Sequence, residues 1–110
     1  MAKYHTDRGV FMKRINLQGG KITYNEFNID FNVPYSEQVE ELSEDLIQIE
    51  YENGYLIDLG WYPEYNTQGE FIVQVIKNYD WENPVYMEQS RDEKQLEKVL
   101  LKAIHLCNAL

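Results

Sequence analysis

The stretch Leu46-Ile47-Gln48-Ile49-Glu50-Tyr51-Glu52-Asn53-Gly54-Tyr55-Leu56-Ile57-Asp58-Leu59-Gly60-Trp61 decides the fold class. Apolar residues alternate on both sides of Glu52-Asn53-Gly54. An Asn-Gly pair between two such runs is the strongest short-range hairpin signal, because both residues tolerate positive φ. Ile47, Ile49 and Tyr51 share one face, as do Tyr55, Ile57, Leu59 and Trp61. The two strands therefore offer matching apolar faces to one core, which predicts an antiparallel sheet buried on one side.

Toward the C-terminus, Tyr62 to Gly69 reads as a loop broken by Pro63, Asn66 and Gly69. Phe71 to Ile76 is nearly continuous apolar sequence and suits an interior strand better than an edge. Asp80 to Pro84 forms a second loop, and Val85, Tyr86 and Met87 add a short strand. Ser90 and Glu93 have capping-box spacing, after which Leu96, Val99, Leu100, Ala103, Ile104 and Cys107 recur at steps of three and four. That pattern is a helix with one face on the sheet, Asp92 and Glu93 at its N-terminal end and Lys94, Lys98 and Lys102 further along.

Toward the N-terminus, Phe27, Ile29, Phe31 and Val33 alternate strictly with Glu26, Asn28, Asp30 and Asn32, the pattern of a half-buried strand ended by Pro34. Ser36 opens a short acidic helix with Val39 and Leu42 turned inward. Val10 to Leu17 reads as a short strand, Gly19-Gly20 as a turn, and residues 1–8 as a polar, mobile end. The expected fold is therefore α+β, one domain over residues 1–110. About five antiparallel strands pack against a C-terminal helix, with a short additional helix.

The 110 residues suffice for one core and not two. With 44% hydrophobic and 14% aromatic residues the chain has ample material to bury, unlike a disordered segment. No window approaches a membrane span, and the first residues lack the apolar segment of a signal peptide, so the expected compartment is the cytoplasm. The single cysteine, Cys107, lies on the apolar helix stripe and excludes an internal disulfide or a multi-cysteine metal site.

The net charge of −9 is unevenly spread. Between Lys21 and Lys77 there is no Lys or Arg, while the same stretch carries twelve acids. Five bases against Asp7 give residues 1–21 a net +4, which leaves the rest of the chain at −13. Soluble surfaces ordinarily mix signs. A one-sign surface instead steers a partner of opposite charge and repels wrong ones, which points to a basic protein.

Nucleophilic catalysis would need a Ser, Cys or Thr beside an imidazole, and the histidines are only His5, in the N-terminal end, and His105, on the last helix. No metal-ligand spacing occurs, and no cofactor is expected. Carboxylate pairs are abundant, so a small carboxylate-based enzyme stays open as a third reading, with a polar cleft and one raised carboxyl as its signature. Direct binding of nucleic acid is disfavoured, because the phosphate-binding bases are missing from the core of the chain.

Aromatic residues are interleaved with the acids at Asp58, Trp61, Tyr62, Glu64 and Tyr65, then at Tyr79, Asp80, Trp81 and Glu82. Trp61 has the phase of a core residue, whereas Trp81 fits either core or contact. Asp58-Leu59-Gly60-Trp61-Tyr62-Pro63-Glu64, Gly69-Glu70-Phe71 and Asp80-Trp81-Glu82-Asn83-Pro84, within residues 45–105, resemble small immunity proteins of bacterial polymorphic-toxin and contact-dependent growth-inhibition systems. The resemblance implies a cytosolic inhibitor that binds a cognate toxin domain, often a nuclease, and blocks its active site or substrate surface. The expected contacts are Glu40, Glu41, Glu44 and Asp45 on the short helix, Asp58, Tyr62 and Glu64 after the hairpin, and Asp80, Trp81 and Glu82 in the next loop. The alternative is a DNA mimic or regulator that occupies basic DNA-binding proteins.

Overall fold

Among residues 10–110 five strands pair in the order in which they occur, each antiparallel to its neighbour. They are β1 (Lys21–Asn25), β2 (Ile47–Glu50), β3 (Tyr55–Tyr62), β4 (Glu70–Lys77) and β5 (Tyr86–Ser90). Helix α1 (Val10–Lys13) precedes the sheet and α2 (Glu93–Ala109) follows it. The computed structural model describes residues 10–110. His5 and the expected mobile end at residues 1–8 lie outside the described residues.

The hairpin forms as its sequence predicts, with Ile47 opposite Leu59 and Ile49 opposite Ile57. Its turn is a three-residue loop in which Gly54 alone takes positive φ, at 92°, so the second left-handed residue expected at Asn53 is not used. Asn53 instead donates from Nδ2 to the Cys107 carbonyl at 2.8 Å and accepts from the Tyr55 amide at 3.2 Å, tying the hairpin tip to the last turns of α2. β4 is interior, between β3 and β5, as its apolar run requires.

On the helix side of the sheet, Ile47, Ile49, Ile57, Leu59, Trp61, Phe71, Val73 and Val75 are at most 1% exposed. The six α2 residues expected to face inward, Leu96 through Cys107, are all buried against them. Burial of each such side chain contributes roughly 2 kcal/mol before conformational entropy is counted. Phe11, Phe27, Phe71, Trp61 and Tyr35 continue the core as neighbouring rings with centroids 4.8 to 6.1 Å apart.

Several local expectations are corrected. Val10 to Leu17 is not a strand: Val10–Lys13 is helical, and Phe11, Met12 and Ile15 are buried together at helical spacing. The Gly19-Gly20 turn stands, with the Gly20 amide on the Leu17 carbonyl at 3.1 Å, and it opens β1, a strand the pattern did not reveal. Phe27 to Val33 is not a strand either. Phe27 and Ile29 are buried, as the alternation implies, but so is Asp30, at 3% exposure.

The reason is Gln38, which is fully buried. Its Oε1 accepts from the Asp30 amide at 2.9 Å, and its Nε2 donates to the carbonyls of Asp30 at 2.8 Å and Val33 at 2.9 Å. One side-chain amide thus takes the backbone bonds that a neighbouring strand would have supplied. Gln38 also separates what was expected as one acidic helix into two single 3-10 turns, Tyr35–Glu37 and Val39–Glu41. Pro34, not Ser36, precedes the first turn.

Ser90 does not cap α2. It is the last residue of β5, three residues beyond the expected strand, and Asp92 caps the helix by accepting from the Gln95 amide at 2.8 Å. The box pattern misplaces the cap because β5 pairing holds Ser90 opposite Phe71. Gln38→Ala should cost about 2 to 4 kcal/mol in urea unfolding, since it leaves the Asp30 amide and the Val33 carbonyl without their partner, while the Asp30 carbonyl keeps only the Val33 amide. A change under about 0.5 kcal/mol would mean that water or backbone rearrangement replaces the amide.

Candidate functional site

The face of the sheet opposite α2 carries the even-numbered residues of β3: Leu56, Asp58, Gly60 and Tyr62, the last three opposite Gln74, Ile72 and Glu70 of β4. The chain crosses this face where β3 lacks a side chain. Between the Trp61 amide on the Ser43 carbonyl at 2.8 Å and the Leu46 amide on the Leu59 carbonyl at 3.1 Å, Glu44 and Asp45 bulge out of the ladder. A Cβ at Gly60 would overlap the Glu44 carbonyl, so only glycine allows this approach.

The bulge gathers acids from separate parts of the chain. Glu64, in the loop after β3, accepts at Oε1 from the Glu44 amide at 3.1 Å and the Ser43 hydroxyl at 3.4 Å. That loop is fastened from behind: Tyr65 N–H bonds the Leu42 carbonyl at 2.7 Å, and Trp61 Nε1 bonds the Asn66 carbonyl at 2.7 Å. Arg91, stacked over Trp61 and Tyr35, donates to the carbonyls of Gly69 and Thr67. The acid-bearing loop therefore rests on a core ring and a guanidinium rather than on its own charges.

Tyr62 reports the resulting field. Burial, and then the carboxylates of Asp58, Glu44, Asp45 and Glu64, push its hydroxyl up to about 12, so it stays a hydrogen-bond donor at neutral pH. At Tyr24, desolvation and then Glu26 and Asp45 act in the same direction. Beside these lies a hollow of about 210 Å³ lined by Glu26, Glu40, Glu41 and Asp45 with Tyr24 and Tyr65. None of the ion pairs among the described residues involves these acids; they join Arg14 to Glu93 and Glu97, and Lys102 to Glu88.

Of the expected contacts, Glu40, Glu41, Glu44, Asp45, Tyr62 and Glu64 are brought together at this end of the sheet. Asp58 is close to them but is not a surface contact. It lies within β3 at 5% exposure and accepts from Gln48 Nε2 at 3.1 Å, while burial, with Asp45 adding to it, raises its carboxyl above the ordinary range. The raised carboxyl of the third reading is thus present, but it does not line the neighbouring hollow.

Asp80, Trp81 and Glu82 stand elsewhere. Tyr62 pairs with Glu70 and Tyr55 with Lys77, so the loop after β4 leaves the opposite end of the sheet, about 24 Å away along β3. Asn78 and Tyr79 both take positive φ there, and Asp80 N–H closes the turn on the Lys77 carbonyl at 3.0 Å. Tyr79 is held by its hydroxyl on Glu50 Oε1 at 2.8 Å. Trp81, at 44% exposure, is not core, and Val85 and Met87 are exposed beside it in sequence. The candidate surface therefore has two ends, one strongly acidic and one aromatic and apolar with acids among its residues. Glu26, Tyr24 and Tyr65 are members that sequence reasoning missed, because only the β1–β2 pairing and the Tyr65–Leu42 bond bring them to Asp45.

Among the described residues no group of His, Cys, Asp and Glu is placed to hold a metal ion, and no helix is long and apolar enough to cross a membrane. No family model, curated protein or solved structure matches the chain.

Gly60→Ala should destabilise the chain by about 2 to 4 kcal/mol and disturb the amides of Ser43 to Asp45 in NMR spectra, since the Glu44 carbonyl must move. Unchanged shifts would show that the bulge does not depend on the glycine. For Asp58, the folded state favours the protonated form. Its contribution to stability is therefore full below the ordinary value of 3.8 and is lost as pH rises through the folded-state value. Asp58→Asn, which keeps an acceptor for Gln48, should raise the melting temperature at pH 7, with the advantage vanishing at about pH 3. A lower melting temperature at pH 7 would contradict this account.

Proposed function

We propose that the chain is an inhibitor of the immunity type, which binds a cognate basic toxin domain, most simply a nuclease, through the acidic end of the sheet opposite α2. The observation that carries this reading is the convergence of Glu26, Glu40, Glu41, Glu44, Asp45 and Glu64 with three tyrosines, with no ion pair to any of those acids among the described residues. A nuclease groove presents Lys and Arg to phosphates, and an acidic surface with tyrosine donors is complementary to it. Tyrosines also supply large contact area with few rotatable bonds, as binding hot spots require. The far loop, with Trp81 between Asp80 and Glu82, gives a second point of contact for a partner long enough to span the sheet face.

The inhibitor reading is tested first by affinity capture of the tagged chain from its native lysate at low and high salt, with any toxin-like domain encoded beside it co-expressed. One tight basic partner, whose toxicity disappears on co-expression, is the expected result. Reversal of Glu40, Glu41, Glu44 and Asp45 to Lys should then slow association with that partner by roughly tenfold or more and flatten its salt dependence. Reversal of Asp80 and Glu82 should have the smaller effect. Capture of many DNA-binding proteins, all released together by salt, would replace the inhibitor reading with that of a DNA mimic. Unchanged association after the fourfold reversal would exclude the acidic end as the contact.

A further inference from the structure

The side of the molecule formed by α2 and β5 has the opposite chemistry. A groove of about 640 Å³ runs between them, lined by Tyr86 of β5 and by Lys98, Leu101, Lys102, His105 and Leu106 of α2. Its floor is apolar, and Leu101 remains 43% exposed. On α2, Lys98, Lys102 and His105 are spaced i, i+4 and i+7, so they form one row along the helix, spanning about 10 Å. The carboxylate that meets this row is Glu88, which lies 3.8 Å from Lys102 and accepts from the Tyr86 hydroxyl at 3.0 Å. Beside the groove, β5 pairs with β4 on one side and, among the described residues, with no strand on the other.

We propose that this groove and the free edge of β5 together form a binding site for an extended acidic peptide segment of a second protein. Such a segment would pair its backbone with β5 as a sixth strand, the β-augmentation mode of peptide recognition. Strand side chains alternate, so every second residue of the added strand would point to the α2 side. Apolar ones there would fill the space between Tyr86, Leu101 and Leu106, and carboxylates would meet Lys98, Lys102 and His105. The two lysines exclude a basic segment and favour an acidic one, the reverse of the charge that the proposed acidic surface would select. The site is distinct from the acidic end and does not depend on what binds there.

The test uses the full chain and a fluorescein-labelled eight-residue peptide alternating Val and Glu, with a Val-Lys peptide of the same length as control. Anisotropy should show binding of the Val-Glu peptide and not of the control. Hydrogen exchange should slow at amides within Tyr86 to Ser90. Lys98→Glu with Lys102→Glu, both exposed and so compatible with folding, should weaken the Val-Glu peptide by roughly tenfold or more and admit the Val-Lys peptide. Absence of binding at about 1 mM peptide overturns the proposal. So does binding that ignores the two lysines or leaves β5 exchange unchanged. If the β5 amides become protected on raising the protein concentration without peptide, the occupant is a second copy of this chain and the proposal is also overturned.

Discussion

The acidic end of this molecule exists because nothing projects from β3 at Gly60. The Glu44 carbonyl occupies the space a side chain would need, so the segment from Ser43 to Leu46 can lie against the strand with Glu44 and Asp45 bulged outward. On the other face of the same strand, one residue along, Trp61 is fully buried and fastens the following loop through its indole nitrogen. Two adjacent residues thus face opposite ways, one admitting backbone and the other anchoring it. The acids and tyrosines of the candidate surface inherit their positions from that pair.

Gathering like charges costs energy, and the structure shows where it is offset. The acids are carried on backbone held by main-chain bonds and by Trp61 and Arg91 rather than by ion pairs. Exposed acids are also screened beyond about 8 Å at physiological salt, which limits mutual repulsion but preserves a field close to the surface. Asp58 differs, because desolvation rather than repulsion is the larger influence on it. A surface whose backbone is held this way has less to lose in conformational freedom on any association.

How much of this was legible in the sequence depends on where each backbone bond is satisfied. The hairpin and α2 were readable because their signals are local: an Asn-Gly turn between alternating runs, and a six-residue apolar stripe. Phe27 to Val33 was not, since its alternation describes burial correctly while its hydrogen bonds go to Gln38, a side chain that no periodicity singles out. The cap of α2 was misplaced by two residues because Ser90 is claimed by β5. For the candidate surface, charge and aromatic content could be read directly, but not which acids are neighbours. Glu64 reaches Glu44 through loop bonds, Asp58 is drawn inside by strand pairing, and Asp80 to Glu82 leave from the far end of the sheet.

The sheet is a simple meander in which every strand pairs with its sequence neighbours, and α2 comes after all five. During synthesis, therefore, the strands can pair as they emerge, with little loop-closure cost, while the apolar side of the sheet waits for its cover. Until α2 docks, Ile49, Ile57, Leu59 and Val73 lack the cover that the helix gives them in the finished fold, and an uncovered apolar sheet is prone to association. The helix is thus the lid of the core, and loosening it alone would bare the apolar side of the sheet.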